Sequence, residues 1–214
     1  MALADYAALQ SSVANSLGRT AGSMPQGNVT DYIAEGEAYL NRHLRLLQME
    51  NIATLTIAQT ETTEPLPTGF LEALDLRYTS DDWQLTQLST TEFFRVQDAG
   101  EARPNYFRVS SQFEFERPAD QTHTMKLAYL KGWDIATDDT NWLLSNAPDL
   151  YRYAALRFAY ADIRNMAEEA NAIQRVERGI KELNGLDGRT KGRVVMTTDP
   201  AIGIVGRFNI NRGY

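Results

Sequence analysis

The sequence predicts an α+β fold: a helical bundle with one long C-terminal helix, an inserted small antiparallel β region, and an extended C-terminal tail. Three observations carry that expectation. Apolar residues recur at steps of three and four near both ends of the chain, as in Tyr6, Leu9, Val13 and Leu17 and again from Ile163 to Leu183. Between these stretches, short segments alternate with period two and are separated by turn residues instead of helices. After Gly185 the alternation returns, now with no obvious strand to pair with.

The chain has 214 residues, 43% hydrophobic and 10% aromatic, enough to bury a substantial core. It has no cysteine, which excludes a disulfide framework and thiolate zinc sites. No apolar run approaches the ~18 residues of a membrane span. Residues 1–10 include Asp5 and lack a basic flank, so neither a membrane partner nor a secretion signal is expected. A net charge of −7 opposes wrapping nucleic acid, because phosphate affinity comes from lysine and arginine. Contact with DNA is not thereby excluded, since a surface that lets a polyanion slide past should repel it weakly.

The first helix is expected over residues 5–17, stopped by Gly18 in the left-handed conformation. Residues 22–27 read as a loop around Pro25. A second helix follows over residues 30–49, capped by Asn28 or Thr30 and burying Ile33, Leu40, Leu44 and Leu47. Arg42 and Arg45 suit the negative end of its dipole.

From Asn51 the period changes. Ala53, Leu55 and Ile57 alternate with Thr54, Thr56 and Ala58 as a strand, and residues 60–64 read as a break before Pro65 and Pro67. Residues 70–74 read as a helical turn feeding a strand through Leu76 and Tyr78. Asp81 and Asp82 make a hairpin turn into Trp83, Leu85 and Leu88. Ser89 and Glu92 form a capping box that predicts a short helix to Gln97. Further strands are expected at residues 106–109, 112–116 and 122–130.

Residues 132–140 form an acidic connector, and residues 141–144 a helical turn. Pro148 and Asp149 are favourable in the first turn of a helix expected to run unbroken to Asn184, roughly 55 Å. Its first half spreads Tyr151, Tyr153, Leu156, Phe158 and Tyr160 around several faces and is expected to be buried. Its second half carries one stripe, Ile163, Met166, Ala170, Ile173, Val176, Ile180 and Leu183, suited to a seam with a neighbouring subunit.

Catalytic patterns are missing. There is no phosphate-binding glycine loop and no Gly-x-Ser-x-Gly elbow. His43 and His123 fall in different elements, which argues against a metal site. The pairs Asp81-Asp82 and Asp138-Asp139 read as solvated turn acids. A glycosidase pair must span a cleft, and Asp134, Asp138 and Asp139 lack the glycine and final glutamate of a calcium loop. No catalytic, cofactor or metal residue is expected.

In the tail, Ile202, Ile204, Phe208 and Ile210 share one parity, a strand with one apolar face. Arg189, Lys191, Arg193, Arg207 and Arg212 against the single acid Asp199 make residues 189–214 basic. An uncovered apolar strand is a liability, so it must pack on its own sheet or add to a strand of another chain.

Glu37, Leu40-Asn41-Arg42, Leu44-Arg45, Met49-Glu50, Ala53-Thr54-Leu55, Leu66-Pro67 and Phe70-Leu71-Glu72 resemble the head-to-tail adaptor (connector, or neck) proteins of tailed bacteriophages. The likeness resumes at Asn141-Trp142-Leu143-Leu144, Ala147-Pro148-Asp149-Leu150-Tyr151 and Tyr153-Ala154-Ala155-Leu156, and covers residues 30–185. It implies a structural virion protein of the neck between capsid and tail, assembled in the host cytoplasm as a homo-oligomeric ring of twelve copies below the portal protein. Such a ring extends the channel for genome DNA and mounts tail nozzle, tube or fibre proteins.

On this resemblance, residues 1–50 with 141–188 would form the ring, and residues 51–140 the inserted β-rich region. Residues 189–214 would form the portal-docking tail; no family motif carries over after Arg193, so its docking residues, Arg193, Ile202, Ile204, Arg207, Phe208, Ile210, Arg212 and Tyr214, are read from the tail's apolar face and charge alone. Ile163, Met166, Ile173, Val176 and Ile180 are the expected contacts between subunits. Two alternatives remain. One is a ring subunit of a non-phage assembly. The other is a virion-associated peptidoglycan hydrolase using Glu35 or Glu37 as proton donor, which requires a glutamate in an apolar pocket.

Overall fold

The computed structural model describes residues 3–18 and 26–190. The residues named for portal docking, from Arg193 to Tyr214, and most of the loop around Pro25 lie outside the described residues. The fold is mixed α+β, with seven α-helices and two sheets among the described residues.

Helix α1 (Tyr6–Ser16) begins where the Asp5 side chain accepts from the Ala8 N–H at 2.7 Å and ends before Gly18 at φ +69°. Helix α2 (Gln26–His43) starts earlier than expected, so neither Asn28 nor Thr30 is its cap. It also stops earlier. A separate 3₁₀ turn (Leu47–Met49) follows, and Leu47, expected in the buried stripe, is 41% exposed, while Ile33, Leu40 and Leu44 are buried. Arg45 Nη1 closes the end of α2 by donating to the carbonyls of Asn41, Arg42 and Leu44.

In the β region, strands β1 (Glu50–Ile57), β3 (Phe70–Tyr78) and β7 (His123–Lys131) form an antiparallel sheet in the order β1-β7-β3. Residues 70–74 belong to β3 and not to a helical turn. Register shifts between Phe70 and Glu72 and between Ala73 and Asp75 explain why their alternation is irregular.

A second sheet runs β2-β6-β5-β4, from β2 (Thr63–Pro65), β6 (Gln112–Phe115), β5 (Tyr106–Val109) and β4 (Thr86–Gln87). The stretch read as a break runs into β2, whose Pro65 is tolerated on an edge strand. The β4–β5 pair is parallel, so the region is not purely antiparallel. Helix α3 (Thr90–Val96) opens on the full Ser89–Glu92 capping box. Both sheets contribute to one core that includes Leu55, Ile57, Leu76, Tyr78, Phe107, Phe113, Phe115, Met125 and Leu127.

The acidic connector holds a short helix, α4 (Ile135–Asp138), capped by Asp134, and Asn141 caps α5 (Trp142–Asn146). The expected single strut is two helices, α6 (Pro148–Asp162) and α7 (Met166–Thr190). Between them the Asn165 N–H bonds the Tyr160 carbonyl at 2.9 Å and the Arg164 N–H bonds that of Ala161 at 3.1 Å, with Arg164 at φ +57°. This is a Schellman stop built without glycine. Helix α7 continues through Gly185, where the tail was expected to begin.

The helical core joins Leu9, Val13, Ile33, Leu40, Leu44, Leu143, Leu144, Leu150, Tyr151, Ala154, Ala155, Leu156, Ala159 and Val176. Helices α2 and α6 approach closely at Gly36, where an added Cβ would lie 2.7 Å from the Ala155 nitrogen and 2.8 Å from the Ala154 carbonyl carbon.

Candidate interaction surfaces

The joint between helical body and β region is built on α2. The Asn41 side chain donates to the Trp133 carbonyl at 2.9 Å and accepts from its N–H at 3.0 Å, a two-way clamp on the chain leaving β7. One turn earlier, Glu37 is 8% exposed and accepts from the Ile135 N–H at 2.9 Å and from the Tyr151 hydroxyl. Asn141 donates to Tyr151 in turn, at 3.2 Å. One carboxylate thus ties α2 to α4 and α6.

Burial pushes the Glu37 carboxyl up to about 7. Tyr151 and Ile135 oppose that rise, and Asp134 and Asp138 add to it. Burial beside the same carboxylate also raises the Tyr151 phenol. Glu37 lines a cleft of about 350 Å³ with Asn41, Lys131, Asp134, Thr137 and Asp138. Glu35 is exposed. Of the two glutamates weighed as proton donors, Glu37 therefore has the burial that such a role requires. Its shared oxygen is already held by two donors from its own chain.

The acid pairs are engaged structurally. Asp81 takes both terminal nitrogens of Arg103 at 2.6 and 2.8 Å, and this guanidinium holds its carboxyl down at about 2. Arg103 also lies 3.8 Å over the Tyr78 ring. Asp82 receives Arg77 at 3.1 Å, and Asp139 accepts from the Tyr6 N–H at 3.3 Å. His43 is exposed at the end of α2, while buried His123 pairs with Asp120 at 2.7 Å, so the two histidines are not brought together.

The stripe expected to contact a neighbouring subunit divides at the elbow. Ile163 is 49% and Met166 80% exposed. Ile173 is half-buried, Ile180 packs against the helical core, and Val176 is wholly buried within its own chain, leaving it no surface for a neighbour. Exposed apolar groups elsewhere include Ile52, Leu74, Trp83 and Phe94 in the β region. Among the described residues no helix is long and apolar enough to cross a membrane.

The network at Glu37 was not legible in the sequence, since its partners lie 98 and 114 residues away. The elbow had a signal that went unread: Asn165 followed by Glu168 and Glu169, a cap and two first-turn acids.

Compared with known proteins, residues 4–198 match the family model of the SU10 adaptor protein. No curated protein matches the chain.

Proposed function

The chain belongs to the SU10 adaptor protein family, a family of phage head-to-tail adaptors, and on that footing we propose that it is a ring-forming structural component of the virion neck. The family match over residues 4–198 carries this reading. In it, the ring of twelve copies sits below the portal, continues the DNA channel without specific DNA contacts, and mounts tail proteins on the β region. Assembly takes place in the host cytoplasm, and the protein performs no enzymatic turnover.

Physical features support the assignment of surfaces. The α6–α7 elbow offers Ile163 and Met166 to a neighbour, with Ile173 beside the seam. A ring contact is heterologous, so this apolar knuckle needs only one complementary face on the next copy. A net charge of −7 per copy disfavours adhesion of passing DNA. The basic, period-two tail through Ile202, Ile204, Arg207, Phe208, Ile210, Arg212 and Tyr214 docks on the portal by strand addition.

A chain ending at Gly192 tests the docking role. It is expected to lose stable binding to portal rings while remaining folded, and undiminished binding refutes tail docking. The hydrolase alternative draws on one observation, the buried Glu37 carboxyl raised to about 7. A peptidoglycan zymogram of the parent chain and of Glu37→Gln decides it: the adaptor reading expects no clearing from either.

A further inference from the structure

The outer edge of β1 has a built-in candidate occupant. Among the described residues β1 pairs with β7 alone, which leaves one side of the strand without a neighbouring strand. Ile52 shows which backbone groups face that side. Its N–H is taken by the adjacent Asn51 side chain at 2.7 Å, so it points away from β7. By alternation, the N–H groups of Thr54 and Thr56 point the same way. Ile52 is 60% exposed, and both threonines are exposed. A strand with this much open backbone is one that proteins usually cover or blunt.

The end of α7 lies at the root of this strand. The Asn184 side chain accepts from the Arg45 N–H at 3.1 Å and donates to the His43 carbonyl at 3.0 Å, fixing α7 a few residues before Glu50 opens β1. Beyond Thr190 the sequence continues to Tyr214. The twelve residues from Thr190 to Ile202 reach up to about 40 Å when extended, against roughly 26 Å for the eight residues of β1. The segment that arrives there, Ile202 to Ile210, has strand alternation and one apolar face. On the outer side of β1, that face continues the core past half-buried Ala53 and buried Leu55.

We propose that in the free protein the chain's own residues 202–210 add to the outer edge of β1 as a fourth strand, stowed there until a partner takes the tail. This goes beyond portal docking and concerns the unassembled chain. Stowing satisfies the open ladder of β1 and hides the apolar parity of the tail with one contact. It also means that a portal must compete with an internal site.

Amide exchange followed by NMR on the isolated full chain tests this at Ile52, Thr54 and Thr56. These three amides are expected to exchange at least tenfold more slowly in the parent than in Ile204→Asp, which puts a carboxylate on the apolar face of the tail without shortening the chain, or in the chain ending at Gly192. Amides facing β7 serve as the internal control and keep their rates. Equal rates at the three positions in parent and variants overturn the proposal. So does protection that disappears on dilution, which assigns the edge to a second copy. Portal binding is measured separately, so loss of that binding with unchanged exchange refutes stowing alone.

Discussion

Helices α6 and α7 follow one another directly in the chain, yet they are held in place by different physics. Helix α6 buries Leu150, Tyr151, Ala154, Ala155, Leu156 and Ala159, and its alanines let α2 come within backbone contact at Gly36. Helix α7 is longer, 25 residues, but among its described side chains only Ala172 and Val176 are fully inside. One is a core element. The other is a lever lying on the core, with a charged outer surface and an apolar knuckle at its start. The difference shows that a continuous three-and-four pattern reports where apolar side chains point and not whether the backbone is continuous.

The α2–α6 contact is where that comparison is most sharply breakable. Gly36→Ala pushes a methyl into the Ala155 nitrogen and Ala154 carbonyl carbon, backbone atoms that cannot rotate away. A loss of about 3 kcal/mol in urea unfolding is expected, the upper end for overpacking. A Cβ added at Gly179 on α7 would lie 2.9 Å from the Leu150 side chain, which can turn aside, so its alanine variant costs less.

The joint at Glu37 responds to pH. Its carboxyl ordinarily titrates near 4.5 and is raised to about 7 in the fold, so the folded state holds a proton that the unfolded chain gives up. The associated stability is fully present below 4.5 and is lost as pH climbs through 7, by up to about 3 kcal/mol. Glu37→Gln keeps an acceptor for Ile135 and Tyr151 but cannot ionise. Melts from pH 4.5 to 8 are expected to show a shallower fall in the variant, and parallel curves refute the assignment.

Local signals were read most accurately. Ser89 with Glu92 and Gly18 each state a helix boundary in four residues or one, and each boundary forms there, while Asp5 and Asn141, expected inside their helices, cap them from one residue outside. The mixed α+β class followed from where the period changes. What escaped depends on partners distant in sequence or on unusual residues in usual roles. The β4–β5 pair is parallel because Thr86 meets Tyr106 across α3, which no short window records. The joint is assembled from α2, α4 and α6 by hydrogen bonds, with no motif. Interaction surfaces were the least legible, because a stripe such as Ile163 to Ile180 looks the same whether its own chain or another covers it.

The elbow itself offers a smaller and opposite effect. Arg164 holds φ +57°, where a side chain costs about 1 kcal/mol and glycine does not. Arg164→Gly is expected to raise stability by about 1 kcal/mol, less the added freedom of the unfolded chain. An unchanged or lowered melting temperature means that the arginine side chain contributes more at the elbow than its backbone strain removes.

The smallest effect on folding is expected where the largest effect on assembly is proposed. Met166 is 80% exposed at the first position of α7, so Met166→Asp removes little packing and places an acid where the helix dipole favours one. Monomer stability is expected to change by less than about 0.5 kcal/mol. If the knuckle is the seam between copies, the same substitution buries a charge against the next subunit and sharply reduces rings in sedimentation. Normal rings from Met166→Asp would move the seam away from the elbow and onto the charged face of α7, separating the lever's two halves again by what each one touches.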